Sequence, residues 1–269
     1  MDKELHAKFT RLKARVAAYP DAVVAFSGGT DSTLVLKLCH DMLGSRCQAV
    51  MIATPLVTKQ SIAAAKKTAA AIKVPLAIRR CQVLRDPAVL NNRPQRCYAC
   101  KKMIISQLRA YAQKIGMTTL VNGANADDFQ GARPGTKALG EAGVRSPLAE
   151  VGLTKTEVRE LARHLCLANW NTASESCLAT RFPFNTRLTG TSLATVARAE
   201  HILGEKGLNS VRCRVHRDIL RIEVSYTERQ LALRMIDAAT QHLLKRLGFR
   251  FICLDIEGFR SGSMDSARR

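Results

Sequence analysis

Short apolar runs and amphipathic stretches alternate along the first half of the chain. Asp21–Phe26 (DAVVAF) reads as a buried strand, Asp31–Leu43 (DSTLVLKLCHDML) as a helix and Cys47–Thr54 (CQAVMIAT) as a second apolar strand. Thr58–Ile72, rich in Ala and Lys, reads as a helix, and Pro75–Cys81 (PLAIRRC) as a third strand. From Cys97 to Ile115, apolar side chains fall at 104, 105, 108, 111, 112 and 115, close to the helical period. Thr119–Gly123 (TLVNG) is a fourth strand. Strands alternating with helices predict an α/β fold, a Rossmann-like parallel sheet with helices on both faces.

The pattern changes after Trp170. Thr154-Lys155-Thr156-Glu157 has the form of a capping box opening a helix through Leu165. Beyond it come a helix near Leu193–Leu203, strands at Ser210–Val215 and Ile219–Ser225, a helix capped by Ser225 running to about Leu247, and a strand at Phe251–Ile256. This predicts a small C-terminal α+β unit, with one domain at 1–173 and a smaller substrate or oligomerisation domain at 174–269.

Composition narrows the class. In 269 residues, 46% are hydrophobic, enough for a substantial core, and no apolar run reaches the length of a membrane span. The first twenty residues scatter charges through MDKELHAKFTRLKARVAAYP, unlike a secretory leader, so the expectation is a cytoplasmic protein without a membrane partner. Nine cysteines at irregular spacing do not form a disulfide framework. The formal charge of +20, spread along the chain, favours anionic partners: a nucleic acid, or small polyanions such as ATP.

The most specific string is Ser27-Gly28-Gly29-Thr30-Asp31-Ser32, between a buried strand and a helix. There a Gly-rich turn lets backbone N–H groups reach phosphate oxygens, and the helix N-terminus adds partial positive charge. Ser27, Thr30 and Ser32 add hydroxyls. Asp31 would repel phosphate unless a cation intervenes, which suggests Mg²⁺. The Walker pattern is absent; the string resembles the PP-loop of the ATP pyrophosphatases, in which ATP is cleaved between its α- and β-phosphates and a substrate oxygen is adenylated. A second cluster, Asn122-Gly123-Ala124-Asn125-Ala126-Asp127-Asp128, follows the fourth strand, at the edge where open α/β sheets bind ligands. Asp128 is the leading candidate Mg²⁺ ligand and Asp127 the alternate. Thr54, Lys101, Gly123, Asn125 and Arg133 are further candidates for nucleotide binding, with Arg145 as additional charge.

Arg96-Cys97-Tyr98-Ala99-Cys100-Lys101-Lys102 opens the third helix and puts two cysteines on one face of its first turn, in basic surroundings that favour thiolates. Zinc, a redox pair and the edge of an iron–sulfur cluster all fit a single C-x-x-C. A structural zinc site would want a second ligand pair, and none occurs. Cys177 lies in Ser174-Glu175-Ser176-Cys177-Leu178-Ala179-Thr180-Arg181-Phe182-Pro183, at the expected domain junction. With Cys97 and Cys100 it could hold a 4Fe–4S cluster with one iron open, able to carry an extra sulfide.

FSGGTDS, RCYACKK, NGANADD, RPGTKAL, GVRSPLAEVGLTKTEVRELAR, ESCLATRFPF and EGFRSGSM together resemble the LarE family over nearly the whole chain. That resemblance implies an ATP-dependent sulfur transferase. Such enzymes adenylate the carboxylates of pyridinium-3,5-biscarboxylic acid mononucleotide and replace them with thiocarboxylates, for the nickel-pincer nucleotide. It implies either a sacrificial cysteine at the position of Cys177, left as dehydroalanine, or a 4Fe–4S cluster on that cysteine and a C-x-x-C. Cys97, Cys100 and Cys177 match the second variant. It also implies catalytic roles for Cys177, Asp31, Arg212, Arg214 and Glu223, and a substrate side including His216, Glu257, Arg260 and Ser261. A homo-oligomer, a hexamer in that family, is implied too; the sulfur donor is not identified. The runner-up is a PP-loop iron–sulfur tRNA thiolase, which the basic charge would suit. A non-catalytic nucleotide sensor is a third reading, opposed by the acidic and thiol residues.

Overall fold

The structure, a computed structural model, describes residues 1–130, 134–172, 176–209, 211–260 and Met264. Among these residues the chain forms α1 (Lys3–Ala17), β1 (Ala22–Ala25), α2 (Thr30–Leu43), β2 (Cys47–Ala53), α3 (Lys59–Ala71) and β3 (Leu76–Arg80). Then follow α4 (Pro87–Leu90), α5 (Arg96–Lys114), β4 (Leu120–Val121), α6 (Pro134–Glu141), α7 (Pro147–Glu150) and α8 (Lys155–His164). The remainder is α9 (Gly190–Glu205), β5 (Arg212–His216), β6 (Ile219–Glu223), α10 (Arg229–Met235), α11 (Ala238–Arg246) and β7 (Phe251–Leu254).

Strands β1 to β4 form a parallel sheet in the order β3-β2-β1-β4, flanked by helices as the alternating pattern predicts. Six of its positions, Ala22, Val23, Val24, Ala49, Val50 and Val121, are wholly buried, which suits a parallel sheet covered on both sides. Helix α1 lays Leu5, Phe9, Leu12 and Val16 into the same core as Leu34, Leu36 and Leu38 of α2. Each such side chain contributes about 1.5–3 kcal/mol on burial. The fourth strand is shorter than TLVNG suggested, because the Asn122 side chain turns away to Ser146 Oγ at 2.8 Å and the Arg145 carbonyl at 3.2 Å.

The chain divides into two compact units, one comprising Met1–Val83 and Gln95–Glu175, the other Leu84–Pro94 and Ser176–Arg269. Leu84–Pro94, deep inside the stretch read as the first domain, belongs with the second. The amide of Asn92, a wholly buried residue, donates to the carbonyls of Phe182 at 3.1 Å and Pro183 at 2.8 Å, and Leu188 N donates to Leu90 O at 2.7 Å. The second unit carries β5 antiparallel to β6 and β7 parallel to β6.

The single helix expected from Ser225 to Leu247 is two helices. Ile236 leaves helical geometry, and Asp237 starts α11 by accepting from Thr240 N at 2.7 Å. Thr240, wholly buried, bonds back to Met235 O at 3.1 Å and fixes the break. Ser210, the first residue of an expected strand, lies outside the described residues, as do Arg133 and Ser261. Among the described residues no helix is long and apolar enough to cross a membrane.

Candidate active site

Ser27–Ser32 links β1 to α2, and its conformation depends on glycine. Gly28 has φ +82°, and a Cβ there would lie 2.8 Å from the Cα of Ala65. Ser27 Oγ and Ser32 Oγ are 3.0 Å apart, and Ser32 Oγ donates to Gly29 O at 3.1 Å. Gly29 caps α2 without a side-chain bond, so the helix's first amides keep donors for an anion. The loop is tied down from the far end of its unit. Thr30 Oγ1 donates to Asn169 O at 2.8 Å, while Asn169 Nδ2 donates to Gly28 O at 2.8 Å and to Thr33 Oγ1 at 2.9 Å. Asn169 was not foreseen, since nothing in the sequence around it marks a partner some 140 residues away.

At the adjacent strand end, Gly123 packs backbone against backbone: a Cβ there would meet Ser32 N at 2.6 Å and Ser32 Cα at 2.8 Å. Asn125 then begins a one-turn 3₁₀ helix, Ala126–Phe129, closed by a capping box with Asp128, and its Nδ2 reaches Asp31 Oδ2 at 3.4 Å. Asn125 therefore links Asp31 of the loop to the turn that carries Asp128. Asp127 turns elsewhere and accepts from Lys155 N at 2.8 Å.

The unforeseen member is Lys155. Its Nζ donates to both oxygens of Asp31, at 2.6 and 2.7 Å. The predicted capping box is present: Thr154 Oγ1 accepts from Glu157 N, and Glu157 Oε2 accepts from Thr154 N at 2.8 Å. Lys8 of α1 holds the outer Glu157 oxygen at 2.7 Å. Burial pushes the Glu157 carboxyl up, but Lys8 and the Thr154 amide outweigh it and hold it below its ordinary value. The local sequence marks Lys155 only by its unusual position. A cation in the first turn of a helix opposes the helix dipole, so it is there for another reason.

Of the other expected nucleotide contacts, Thr54 is buried just past β2, with its Oγ1 accepting from Leu56 N at 3.2 Å, and Lys101 is half-buried on α5. Cys97, exposed, and Cys100, half-buried, share the first turn of α5 as the spacing predicts. Cys177, half-buried, belongs to the second unit and caps a one-turn 3₁₀ helix, Leu178–Arg181. Within the described residues no three His, Cys, Asp or Glu side chains form a metal-ligand group.

The Cys177 turn is organised by Arg181. Its Nη1 donates to Ser176 O at 3.0 Å, Ser176 Oγ at 2.7 Å, Thr180 Oγ1 at 2.9 Å and Cys177 O at 3.4 Å. Arg214 adds a bond from Nη1 to Thr180 O at 2.8 Å. Arg214 and Glu223, expected on the substrate side, are 3% and 0% exposed and pair with each other at 2.9 Å. Arg221 holds the other Glu223 oxygen at 3.0 Å. Arg212 is only half-buried and stacks over Phe259 at 5.6 Å. His216, on the same strand, has its proton affinity lowered by burial and by Arg221. Glu257 and Arg260 pair with each other near the C-terminus.

Comparison with known proteins fits this geometry. Residues 4–95 match the NAD synthase family model. The chain is 39% identical over 260 residues to pyridinium-3,5-bisthiocarboxylic acid mononucleotide synthase of Lactiplantibacillus plantarum, covering 95% of this chain and 94% of that one. It is 32% identical over 262 residues to an uncharacterized protein of Synechocystis, covering 97% and 98%. An uncharacterized protein of Methanocaldococcus jannaschii is 29% identical over 243 residues, covering 89% and 90%. With its PP-loop at the end of β1 and this near full-length likeness, the chain belongs to the LarE family, that of pyridinium-3,5-bisthiocarboxylic acid mononucleotide synthase.

Proposed function

We propose that this enzyme uses ATP to replace carboxylate oxygen by sulfur on a pyridinium dicarboxylate mononucleotide. The observation that carries the reading is the start of α2, which no side chain caps, at the carboxyl edge of the sheet with Asp31 in its first turn. A carboxylate oxygen of the substrate attacks the α-phosphorus of ATP, pyrophosphate leaves, and an acyl adenylate forms. Sulfide sulfur then attacks the acyl carbon, the C–O bond to AMP breaks, and a thiocarboxylate remains. Ser27, Gly28, Gly29, Thr30 and Ser32 cradle the leaving pyrophosphate, with Thr54, Lys101, Gly123, Asn125 and Arg133 around the nucleotide.

Mg²⁺ fits Asp31 and Asp128, since this ion is commonly held by one or two carboxylates together with substrate phosphates. It would neutralise charge on the phosphates as pyrophosphate departs. For sulfur delivery, Cys97, Cys100 and Cys177 are the thiols of the proposal. A 4Fe–4S cluster on those three would carry the sulfide when bound. Arg181 and Arg214 orient the Cys177 turn; Glu223 stands behind Arg214, and Arg212 with Arg260 meets the anionic substrate, because guanidinium groups pair bidentately with carboxylate and phosphate. A cytoplasmic homo-oligomer is part of the same proposal, with Tyr226, Leu233, Phe251 and Ile256 as exposed apolar surface on the second unit.

The test is direct competition. Anaerobically prepared enzyme receives ATP, Mg²⁺, labelled sulfide, the mononucleotide and bulk tRNA. Label in the mononucleotide with AMP and pyrophosphate released is expected. Label confined to tRNA would replace the substrate, and dehydroalanine at 177 with activity retained in Cys97→Ala would replace the cluster by a sacrificial thiol.

A further inference from the structure

The ion pair between Lys155 and Asp31 has a consequence for how metal enters the site. Lys155 Nζ covers both oxygens of Asp31, and the two side chains are 28% and 23% exposed. A divalent ion on Asp31 needs at least one of those oxygens at about 2.0–2.1 Å, as Mg²⁺ requires. An ammonium in contact with both oxygens and a divalent ion on the same carboxylate would repel each other at close range. The two therefore compete for one position.

The foot of Lys155 is fixed, so competition falls on its ammonium alone. Its backbone N–H is held by Asp127 at 2.8 Å, and the preceding residue is locked in the capping box with Glu157. Only the flexible methylene stem remains to move. The helix dipole gives the ammonium no reason to stay there other than Asp31. A nucleotide changes the balance, because its phosphates offer the ammonium a second anion beside the start of α2.

We infer that Lys155 is a resident cation of the nucleotide-free loop: it occupies the metal position on Asp31, excludes divalent ions from the empty site, and moves to the phosphates when the metal arrives with ATP. This rests on the reading of the loop as an ATP site. In consequence, metal alone binds more weakly than it would to an unpaired Asp31, and metal and nucleotide favour each other's binding.

Titration with Mn²⁺ followed by electron paramagnetic resonance tests this on the full chain without nucleotide. Lys155→Met should bind Mn²⁺ about fivefold more tightly than the wild type, the size expected for losing one partly exposed ion pair. The same variant should bind Mn²⁺-ATP more weakly. Lys155→Arg, which keeps a cation on Asp31, should bind free Mn²⁺ as poorly as the wild type. Lys37→Met removes the same charge from α2, where Lys37 pairs with Asp41 at 2.6 Å, and should change nothing. Equal or weaker Mn²⁺ affinity in a folded Lys155→Met protein overturns the inference. Acetylation footprinting of the wild type needs no variant. At a Mg²⁺ concentration that leaves the Lys155 modification rate unchanged, addition of ATP should alter it; release of Lys155 by that same Mg²⁺ concentration without ATP overturns the inference. Failure of the wild type to bind Mn²⁺-ATP at all would remove the ATP reading itself, and the nucleotide-free titration separates that failure from this one.

Discussion

Arg181 and Glu200 form a bidentate ion pair, Nε to Oε1 at 2.8 Å and Nη2 to Oε2 at 3.1 Å, with Arg181 only 4% exposed in its side chain. Glu200 Oε1 also accepts from Cys213 N at 2.9 Å, so the pair ties α9 and β5 to the turn that carries Cys177. Arg181→Ala leaves the Glu200 carboxylate without its main partner, at a cost of roughly 3–5 kcal/mol. Urea denaturation should show that loss, and iodoacetamide should modify Cys177 at a changed rate. Wild-type stability together with a wild-type alkylation rate would refute the assignment of Arg181 as organiser of the turn.

Gly123→Ala should disrupt nucleotide binding more than stability. The new methyl group would press on Ser32 N and Cα, at the beginning of α2, so the loop's backbone must shift to admit it. Calorimetry should find ATP affinity lowered at least about tenfold, equivalent to about 1.4 kcal/mol, with an unchanged circular dichroism spectrum. Unaltered ATP affinity would separate Gly123 from the loop's function.

Arg214 and Arg212 should fail differently, although they sit two residues apart on one strand. Arg214→Met removes the partner that holds Oε2 of the wholly buried Glu223, a loss of about 3 kcal/mol. Arg212→Met removes a half-buried cation over Phe259 and should cost under about 1 kcal/mol. If Arg212 meets the substrate, its variant keeps ATP–pyrophosphate exchange but transfers no labelled sulfur. Equal melting temperatures for the two variants would contradict the burial difference.

Acid stability should depend on Glu150. Arg145, at 2.7 and 2.9 Å, holds its carboxyl below the ordinary value of 4.5, against burial that pushes it up. The folded form thus has the lower proton affinity. Its stabilising contribution is complete above pH 4.5 and disappears as pH falls below that value. Melting temperature plotted against pH should drop less steeply below pH 4.5 in Glu150→Gln than in the wild type. Parallel curves would show that Glu150 plays no part.

The parallel sheet was legible because its strands are apolar runs closed by turn residues, a signal carried within each segment. The loop at Ser27–Ser32 was legible for the same reason: glycine, hydroxyl and acid follow one another directly. The capping box of α8 was read correctly, yet its hydrogen bonds concern Thr154 and Glu157 and say nothing of the side chain between them. Lys155 therefore stayed hidden until the fold brought it to Asp31, 124 residues away. Arg214 enters the reading through the LarE resemblance alone; its pairing with Glu223 joins two strands and is legible in neither of them separately. The break at Asp237 was missed because apolar residues continue on both sides of it, while a local cap at Thr240 decides the matter.

The placement of Leu84–Pro94 with the second unit bears on the order in which the chain is made. This segment leaves the ribosome long before its partners Ala179, Phe182, Pro183 and Leu188 exist. During synthesis the buried amide of Asn92 waits for about ninety residues, and the first unit must form around a bridge that is not yet closed. A gene cut at residue 173 would not separate two independent proteins. The upstream piece would carry a strap with its buried groups exposed, and the downstream piece would lack an interior strut.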